Sequence, residues 1–453
     1  MVIAVGLVGA GEFGATFAAQ LRRIPGIALR LICDTDRGRA RAALLAAGHD
    51  ADRIAACDGR PGILAALERG DLALIEDWRL LADLPLHAVV EATGMPDTAA
   101  AIAELSIASG YHVGLVTKEA EVVVGPLLAR RARAAGVVHT PVDGDQPSLL
   151  ISLVQRARSL GLPVVAAGKS TESDYVWDPD AGTLTAWNRG VAAPGYAEAF
   201  AARDGLLGVL DRRVVPGLDC ATVPDLCEMA IVANQVEGLR PDRPGLHAPV
   251  CRTTELPRLF RPRGDGGLLE RPGAVDVFVC LRRPDELSFA GGVFVVVEAP
   301  DPATGRLLAG KGIPGTPEGG HLLLHNPVHL LGAEAPISIL SAARHGVGTG
   351  GEDPAQRFDL LAQAGAPLKA GTVLSLAARH TIPDMVPLIR PAAVVAGEAP
   401  VPYYLAAGRT LARDVPAGAV LSLADLHPAP DSTLMRLRRE QDALGFQPQH
   451  PPS

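Results

Sequence analysis

The 453-residue sequence is poor in cysteine, in aromatic residues and in surplus charge of one sign. Its six cysteines lie far apart and none forms a C-x-x-C pair, which argues against a disulfide framework or a cysteine-based zinc site and indicates a reducing compartment. Fifty acidic and 42 basic residues give a formal net charge of -8. Because no basic stripe is present to neutralise phosphates, we expect no nucleic-acid partner.

Long apolar runs are missing as well. No uninterrupted run is long enough to span a bilayer, and the first residues have the pattern of a strand instead of a basic segment followed by an apolar one. We therefore expect no membrane partner and a cytoplasmic location. The composition, 48% hydrophobic but only 4% aromatic, is compatible with the homo-oligomer that we expect.

Residues 1–140 alternate short apolar segments with helical ones. The apolar segments are bounded by glycine or proline, which is typical of strands. Their order predicts an α/β fold, in which an N-terminal Rossmann domain with a doubly wound parallel sheet binds NAD(P). The predicted strands are 2–8, 28–33, 87–91 and 111–117, and the predicted helices are 13–24, 37–47 and 99–109.

The pattern changes beyond residue 140. Glycine and proline become frequent, and apolar strands such as 275–281 and 292–298 have no regular helices between them. We therefore predict an α+β catalytic domain, which binds the substrate, at 141–345. The glycine-rich stretch 346–351 is predicted to be a linker.

An internal repeat marks the C-terminal part. The sequence AGTVLSLA at 370–377 returns as AGAVLSLA at 417–424. A repeated glycine turn followed by a short strand predicts a small β domain with pseudo-symmetric halves, here placed at 352–430. The tail at 431–453 is expected to end in disorder.

The strongest chemical motif is GAGEFG, which starts at Gly9, follows a predicted strand and opens a predicted helix. In such a loop Gly9 permits the tight turn, Gly11 lets the backbone approach a pyrophosphate and Gly14 lets the helix pack on the sheet. The N-terminus of that helix adds free amides and a partial positive charge. We predict that this loop, with Glu12 and Phe13, binds a dinucleotide.

The identity of the dinucleotide stays open at this point. Asp34 stands at the end of the second strand, where its carboxylate could accept hydrogen bonds from the adenosine ribose and would repel the 2′-phosphate of NADP. Arg37 and Arg39 follow immediately and could instead bind that phosphate, or they could simply start the second helix as solvated residues.

Two further segments follow predicted strands at their carboxyl ends. The loop formed by Ala92, Thr93 and Gly94 would border the nicotinamide side of the cofactor. Lys118 could donate to a substrate oxygen, carry a proton or contact the cofactor, and Glu119 beside it is a second catalytic candidate. Alternatively, Lys118 caps or solvates a loop.

Asp143 and Asp145 flank a glycine directly after the predicted nucleotide domain. Two such carboxylates could bind a divalent cation, orient a substrate hydroxyl or serve as acid and base. An ordinary acidic turn would have the same sequence. We treat both as catalytic candidates and as a candidate metal site.

Three more catalytic candidates lie in the predicted α+β domain. Lys169 follows a glycine and could meet a phosphate or carboxylate of the substrate, or be a solvated turn residue. Glu228 falls in an otherwise apolar helix that begins near Pro224, so it is either paired or functional. His329 could act directly or be structural. The segment 288–292, which ends in two glycines, is predicted to bring the backbone close to another group.

With these motifs in place, the chain resembles the homoserine-dehydrogenase-like NAD(P)-dependent oxidoreductases that carry a C-terminal SAF domain. This family includes 1-deoxy-D-xylulose-5-phosphate reductoisomerase-like enzymes, and the resemblance covers nearly the whole chain. It rests on segments 9–14, 91–94, 117–119, 144–147, 167–169, 233–234, 288–294, 311–312 and 327–332, and on the C-terminal repeat with Tyr403 and Tyr404 between its copies.

The resemblance implies a C-terminal β-clip and an NAD(P)H-dependent reaction on a small hydroxy or keto substrate of the sugar-phosphate, sugar-acid or semialdehyde type. Lys118 matches the place of a lysine that works at the substrate in homoserine dehydrogenases. NADP is slightly favoured on this ground, and the reductoisomerase-like branch would add a coupled isomerisation.

The chain departs from that branch at one point. A D-G-T-K sequence precedes the apolar helix there, whereas this chain has no lysine in 217–224. The departure argues against reductoisomerase activity itself and leaves the oxidoreductase class intact. A dinucleotide-bound sensor or scaffold without catalysis is the alternative.

Overall fold

The computed structural model divides the chain into two compact units. Unit 1 consists of the described parts of Met1–Ser148, Leu330–Ser375 and Pro391–Ser453, and unit 2 of those in Leu149–His329 and Leu376–Arg390. The residues that the structure describes are 2–202, 205–218, 220–428 and 432–445. The predicted end of the tail, 446–453, and Asp219 lie outside them.

A seven-stranded, fully parallel sheet forms the centre of unit 1, in the order β3-β4-β2-β1-β5-β6-β7. Its strands are β1 (Ile3–Val8), β2 (Ile27–Cys33), β3 (Ile54–Ala56), β4 (Leu72–Ile75), β5 (Ala88–Glu91), β6 (His112–Leu115) and β7 (His139–Pro141). The helices of unit 1 are α1 (Glu12–Leu21), α2 (Arg37–Ala46), α3 (Arg60–Arg69), α4 (Pro96–Ala108) and α5 (Lys118–Ala134). Helix α6 (Gln146–Ser159) begins in unit 1, and most of its residues belong to unit 2.

The strand order reverses between β1 and β5, and this switch point positions the candidate nucleotide site. Alternate residues of β1 enter different apolar cores, because successive side chains of a strand point to opposite faces. Val5 and Leu7 belong to one buried cluster, and Val8 belongs to the other. The predicted α/β fold with a Rossmann-like domain is therefore confirmed.

Sequence analysis missed β3, α3 and β4, and also α5, β7 and α6. β3 has three residues and β4 has four, so neither shows enough of a periodic pattern to be recognised from sequence. The prediction nevertheless includes the central strands β1, β2, β5 and β6, and their predicted ends differ from the observed ends by a few residues.

Unit 2 is built on a mixed sheet in the order β11-β10-β9-β14-β8-β15-β16, with β12 and β13 also paired to β14. Strand β14 is buried along nearly its whole length. The strands are β8 (Val164–Ser170), β9 (Tyr175–Asp178), β10 (Thr183–Ala186), β11 (Arg189–Ala192), β12 (Arg240–Pro241), β13 (Val250–Cys251), β14 (Ala274–Arg282), β15 (Val293–Glu298) and β16 (His321–Asn326). The helices are α7 (Tyr196–Ala201), α8 (Leu210–Arg213), α9 (Val223–Gln235), α10 (Leu256–Leu259) and α11 (Pro302–Gly310).

The remaining elements follow His329 along the chain. They are α12 (Ala335–His345), β17 (Phe358–Ala364), β18 (Met385–Pro391), α13 (Tyr403–Ala406) and α14 (Thr433–Ala443). Among the described residues, no helix combines the length and the apolar character that crossing a membrane requires.

The two copies of the C-terminal repeat are related by a local pseudo-two-fold axis within unit 1. Leu368 and Val415, which stand at equivalent positions 47 residues apart, donate their backbone N–H groups to each other's carbonyl oxygens at 2.9 Å. Each copy then turns at a glycine with positive φ, +86° at Gly371 and +81° at Gly418. A positive φ favours glycine at both turns.

Equivalent hydrogen bonds then extend the symmetry on both sides of this axis. Leu374 donates to the carbonyl of Arg409 at 2.8 Å, and its counterpart Leu421 donates to that of Ala362 at 2.9 Å. The antiparallel bridges Val373–Thr410 and Gln363–Val420 are likewise symmetry mates. The repeat is therefore structural, and residues on either side of it form a small β arrangement.

Several predicted boundaries differ from the observed division. Residues 141–148, predicted in the catalytic domain, belong to unit 1, and residues 376–390, predicted in the C-terminal β domain, belong to unit 2. Residues 330–345, predicted in the catalytic domain, belong to unit 1, because Ala335 and Ile339 of α12 are buried in its core. Residues 433–443, predicted as tail, form α14. Its Gln441 accepts a hydrogen bond from the backbone N–H of Leu127 at 2.9 Å, and this contact ties the helix to α5.

Candidate functional site

The glycine loop of unit 1 connects β1 to α1. A Cβ atom added at Gly9, whose φ is +102°, would lie 2.3 Å from the carbonyl oxygen of Ala92. One added at Gly14 would lie 2.1 Å from the carbonyl oxygen of Gly9. Both positions require glycine because the backbone itself occupies the space.

Gly11 differs from its neighbours because a Cβ atom added there would meet no atom within 4 Å. It stands at the N-cap of α1, and no side chain among the described residues caps the free amides there. Glu12 is exposed in the first turn, while Phe13 packs against the unit 1 core. The loop thus combines open space with free N–H donors and the positive end of a helix, which is what a pyrophosphate requires.

Asp34 is buried beside this loop. Its carboxylate accepts hydrogen bonds at 2.8 Å from the backbone N–H groups of Ala10 and Asp36, and at 2.5 Å from Arg39. Burial alone would raise its pKa, but these donors lower it below the usual value, so Asp34 is ionised. The carboxylate therefore shapes the loop in addition to any role toward a ribose.

Arg37, the other predicted phosphate ligand, already has acidic partners. Its guanidinium forms an ion pair with Asp58 and lies 3.3 Å from Glu76. The side chains of Asp58 and Glu76 are at least half exposed, so Arg37 is paired with carboxylates at the surface of unit 1.

The loop that follows β5 is held in place by Glu91, the last residue of that strand. Glu91 is fully buried and accepts hydrogen bonds from the N–H and hydroxyl of Thr93, at 2.7 and 2.6 Å, and from the N–H of Thr117 at 3.3 Å. Burial raises its pKa, and these donors lower it in part. The hydroxyl of Thr117 in turn accepts from the N–H of Gly94 at 3.0 Å. This network joins the carboxyl ends of β5 and β6.

Lys118 is the first residue of α5, three residues beyond the end of β6. Its side chain is 23% exposed, and its Nζ lies 3.9 Å from Oδ1 of Asp145. The next residue, Glu119, is buried within unit 1. The glycine loop, the 91–94 loop and Lys118 therefore follow three adjacent strands of one parallel sheet.

The two carboxylates of the 143–145 turn have different surroundings. Asp143 is buried, and its carboxylate accepts a hydrogen bond from Ser148. Burial and the nearby charge of Glu334 raise the pKa of Asp143 by more than the hydrogen bond from Ser148 lowers it, so this pKa lies above its usual value. Asp145 instead faces Lys118. The two carboxylates therefore have different partners, Ser148 for Asp143 and Lys118 for Asp145.

Gly144 between them approaches the backbone of Leu331 closely. A Cβ atom at Gly144, whose φ is +91°, would lie 1.8 Å from the Leu331 carbonyl oxygen. The next residue, Gly332, donates its N–H to the hydroxyl of Thr16 in α1 at 3.1 Å. The short segment Leu331–Gly332 thus contacts both the acidic turn at 143–145 and helix α1.

A metal site finds no support at these carboxylates. Among the described residues, no group of three or more histidine, cysteine, aspartate and glutamate side chains has an arrangement that could hold a metal ion. Two separated carboxylates fall short of the six to eight oxygen ligands typical of calcium.

Unit 2 contains a second cluster, centred on Lys169 near the end of β8. Its side chain is fully buried, and its Nζ lies 3.2 Å from Glu172, 3.1 Å from Asp225 and 2.5 Å from Glu228. The three carboxylates match the three N–H bonds of an ammonium. The structure thus gives Lys169 partners inside unit 2, where a substrate phosphate has no access to it.

His329 joins this cluster through Glu172. Its Nε2 lies 3.7 Å from the second carboxylate oxygen of Glu172. A Cβ atom at Gly291, where φ is +72°, would lie 2.5 Å from the same nitrogen. The predicted close approach of the backbone at 288–292 is therefore found, and one of its partners is His329.

Three catalytic candidates of the sequence analysis, Lys169, Glu228 and His329, come together in this way. Glu172 and Asp225 were missed. Both carry a signal that could have found them, since each stands three residues from a chosen candidate, and on α9 that spacing places Asp225 and Glu228 on one face.

Comparison with known proteins relates part of the chain to oxidoreductases. Residues 144–335, less than half of the chain, match a family model described as the catalytic domain of oxidoreductase DRL. A 1-deoxy-D-xylulose 5-phosphate reductoisomerase of Anaeromyxobacter dehalogenans is 32% identical over 154 residues, which are 34% of this chain and 34% of that protein. The chain thus spans about a third of the length of the curated relative it matches.

Solved structures give more distant similarities. An oxidoreductase of Agrobacterium radiobacter in complex with NAD+, L-tartaric acid and magnesium is 17% identical, with a TM-score of 0.28, over 39% of this chain and 46% of that one. An oxidoreductase domain protein of Kribbella flavida is 22% identical, with a TM-score of 0.28, over 40% of this chain and 45% of that one.

Proposed function

We propose that the chain is a nicotinamide-dinucleotide-dependent oxidoreductase acting on a small hydroxy or keto substrate. One observation carries the proposal. The loop at 9–14 leaves open space at Gly11, presents the free amides of α1 and stands where the strand order of a parallel sheet reverses. The match of residues 144–335 to an oxidoreductase catalytic domain supports the same class.

The residues of unit 1 have distinct roles in this proposal. The N–H groups at the start of α1 bind the pyrophosphate, and Asp34 keeps the loop in shape through the N–H of Ala10. The dinucleotide, when bound, supplies hydride-transfer chemistry. Lys118 donates to the substrate oxygen on which negative charge develops, and the carboxylate of Asp145 orients its ammonium.

The substrate belongs to the sugar-phosphate, sugar-acid or semialdehyde type. The partial similarity to a reductoisomerase raises the question whether hydride transfer is coupled to an isomerisation of the substrate. The absence of lysine from 217–224 argues against such a coupled isomerisation. Analysis of the product distinguishes coupled isomerisation from simple reduction, because isomerisation changes the carbon skeleton of the substrate and simple reduction preserves it.

The contacts around Asp34 favour NADH over NADPH. An ionised carboxylate at the end of β2 repels a 2′-phosphate, and Arg37 and Arg39 both have carboxylate partners. We expect Asp34→Asn, which removes the charge and keeps a carbonyl acceptor for the loop, to raise affinity for NADPH relative to NADH about tenfold, or about 1.4 kcal/mol. An unchanged ratio of the two dissociation constants would remove Asp34 from cofactor choice.

The proposal is tested first by binding. In Gly11→Val the side chain fills the space next to the free amides, so affinity for NADH and NADPH, measured by nicotinamide fluorescence, should be lost. Gly245→Val is the matched control, because a Cβ atom there also meets no atom within 4 Å and its φ is ordinary. If Gly11→Val binds as tightly as the control, the cofactor site is elsewhere.

Turnover is tested next. Sugar acids, sugar phosphates and amino-acid semialdehydes are screened by nicotinamide absorbance with both dinucleotides. Binding without turnover of any of them would favour a dinucleotide-bound sensor or scaffold.

A further inference from the structure

A cavity of about 360 Å³ lies within unit 2, at the end of β14. Its lining includes the three arginines Arg252, Arg258 and Arg283, together with Phe200 and Thr254. Arg283 directly follows β14, and Arg258 belongs to α10. Phe200 is buried, whereas Arg283 and Thr254 are exposed, so the cavity extends from an apolar base to solvent.

Two of the three guanidinium groups lie against the ring of Phe200. The central guanidinium carbon of Arg252 is 5.0 Å from the ring centroid, and that of Arg283 is 5.3 Å from it. The ring belongs to a buried aromatic cluster, in which its centroid lies 4.7 Å from that of Trp177. Cation–ring contacts of this length are attractive, so both guanidinium groups rest on a packed aromatic support.

Glu286 ties the same two arginines together. One of its carboxylate oxygens pairs with the guanidinium of Arg252, and the other accepts a hydrogen bond from the backbone N–H of Arg283 at 2.8 Å. The backbone N–H of Arg252 donates to Glu255 at 2.9 Å. Both arginines are therefore held in place without a ligand, which lowers the entropic cost of binding one.

The carboxylate that lines the cavity, Glu255, does not cancel the positive charge there. Its two oxygens lie 2.6 and 3.0 Å from guanidinium nitrogens of Arg213, whose side chain is fully buried. Among the described residues, neither Arg258 nor Arg283 has a carboxylate within 4.0 Å of its guanidinium. The cavity therefore keeps a surplus of positive charge that faces solvent.

We propose that this cavity binds a small molecule that carries a phosphate group. Arg258 and Arg283 donate to the phosphate oxygens, and Arg252 adds a third guanidinium beside them. The inference is independent of the proposed oxidoreductase function, because every residue that it uses belongs to unit 2 and no dinucleotide takes part.

The chemistry of the lining favours phosphate over other anions. A guanidinium presents paired N–H donors that match two phosphate oxygens, and a phosphate monoester offers three acceptor oxygens and nearly two negative charges near pH 7. A carboxylate has two oxygens and one charge, so it would leave part of this donor set unused. The volume of about 360 Å³ is at the lower end of the range typical of ligand sites, which suits a small molecule.

The experiment titrates the full chain with inorganic phosphate, glycerol 3-phosphate and succinate in a phosphate-free buffer, and measures Kd by calorimetry. The test variants are Arg258→Gln and Arg283→Gln. The matched control is Arg158→Gln, which also changes an exposed arginine of unit 2. Arg158 donates to the carbonyl of Glu237 at 2.7 Å, close to the segment that pairs with the first residues of β14, whereas the cavity lies at the other end of that strand. Thermal melting verifies that each variant folds.

We expect the wild type and Arg158→Gln to bind both phosphates with the same Kd and to bind succinate more weakly. Arg258→Gln and Arg283→Gln should each raise the Kd for both phosphates about 10- to 100-fold, because a hydrogen bond between charged groups is lost. Arg258→Lys keeps the charge but loses the paired donors, so its Kd should lie between those of the wild type and Arg258→Gln.

Four results would overturn the inference. They are a wild type that binds no phosphate, a site that accepts inorganic phosphate but not glycerol 3-phosphate, succinate that binds as tightly as phosphate, and test variants that keep the Kd of the control.

The amides at the start of α1 offer phosphate a second place to bind, so the titration is repeated with Gly11→Val. An unchanged phosphate Kd in this variant supports the cavity of unit 2, whereas its loss there assigns the phosphate to the glycine loop and refutes the inference. Failure of the chain to bind dinucleotides would refute the oxidoreductase proposal alone, since it changes none of the phosphate measurements.

Discussion

Units 1 and 2 place their candidate functional groups in opposite ways. In unit 1 the groups are backbone amides and loops at the carboxyl ends of adjacent strands, and Gly11 opens onto free space. In unit 2 they are side chains from three distant segments, packed around a fully buried lysine. A binding surface of backbone groups is encoded locally, whereas a cluster of buried charges exists only when the whole unit is folded.

The comparison predicts different consequences for removing a lysine from each unit, and the largest is expected at Lys169. Lys169→Met leaves the enclosed carboxylates of Asp225 and Glu228 without their cation, which should lower the free energy of unfolding by about 3–5 kcal/mol. Urea denaturation measures this effect. The exposed pair Lys369–Asp414 offers the control, since Lys369→Met should leave the midpoint unchanged. If Lys169→Met and Lys369→Met had the same urea midpoint, the expected stabilising role of the buried Lys169 ammonium would be contradicted.

Lys118→Met should affect turnover instead of stability. The ammonium is a preorganised donor for the substrate oxygen, and loss of one such donor typically lowers kcat about 100- to 1000-fold. Dinucleotide affinity and the melting temperature should change little, because the Lys118 side chain is partly exposed and its Nζ lies 3.9 Å from the Asp145 carboxylate, beyond hydrogen-bond distance. Steady-state kinetics and nicotinamide fluorescence separate the two effects. Equal loss of binding and turnover would make Lys118 a cofactor ligand.

A smaller effect concerns Asp276, which is fully buried in β14 of unit 2. Burial is the main reason that its pKa rises from 3.8 to about 6. Because the folded state holds this proton more tightly than the unfolded state, the stabilisation is complete below pH 4 and is lost as pH rises toward 6. Asp276→Asn should therefore raise the free energy of unfolding at pH 8 by about 2–3 kcal/mol.

The asparagine can keep the contacts that matter, since one oxygen of Asp276 accepts from the N–H groups of His247, Ala248 and Val277. Wild type and variant should be closely similar at pH 4, which provides the internal control. The pH series of urea midpoints checks the sign, and parallel curves for the two proteins would refute it.

The two units also differ in how far sequence reasoning reached. In unit 1 the glycine loop, Asp34 and Lys118 could be selected because each follows a strand that local apolar runs reveal. The short strands β3 and β4 escaped, since three or four residues carry too little periodicity. In unit 2 Lys169, Glu228 and His329 were chosen singly, as polar residues in unusual settings, and nothing local related them to one another.

The sequence by itself determined the parallel α/β pattern, the place of the nucleotide loop and the C-terminal repeat, because strand periodicity, glycine turns and repeated segments are properties of neighbouring residues. Only the tertiary structure decided that Glu172 joins Lys169 to His329 and that Gly291 admits the imidazole. Contacts between residues more than a hundred positions apart depend on sheet register and on the packing of α9, which no local pattern specifies.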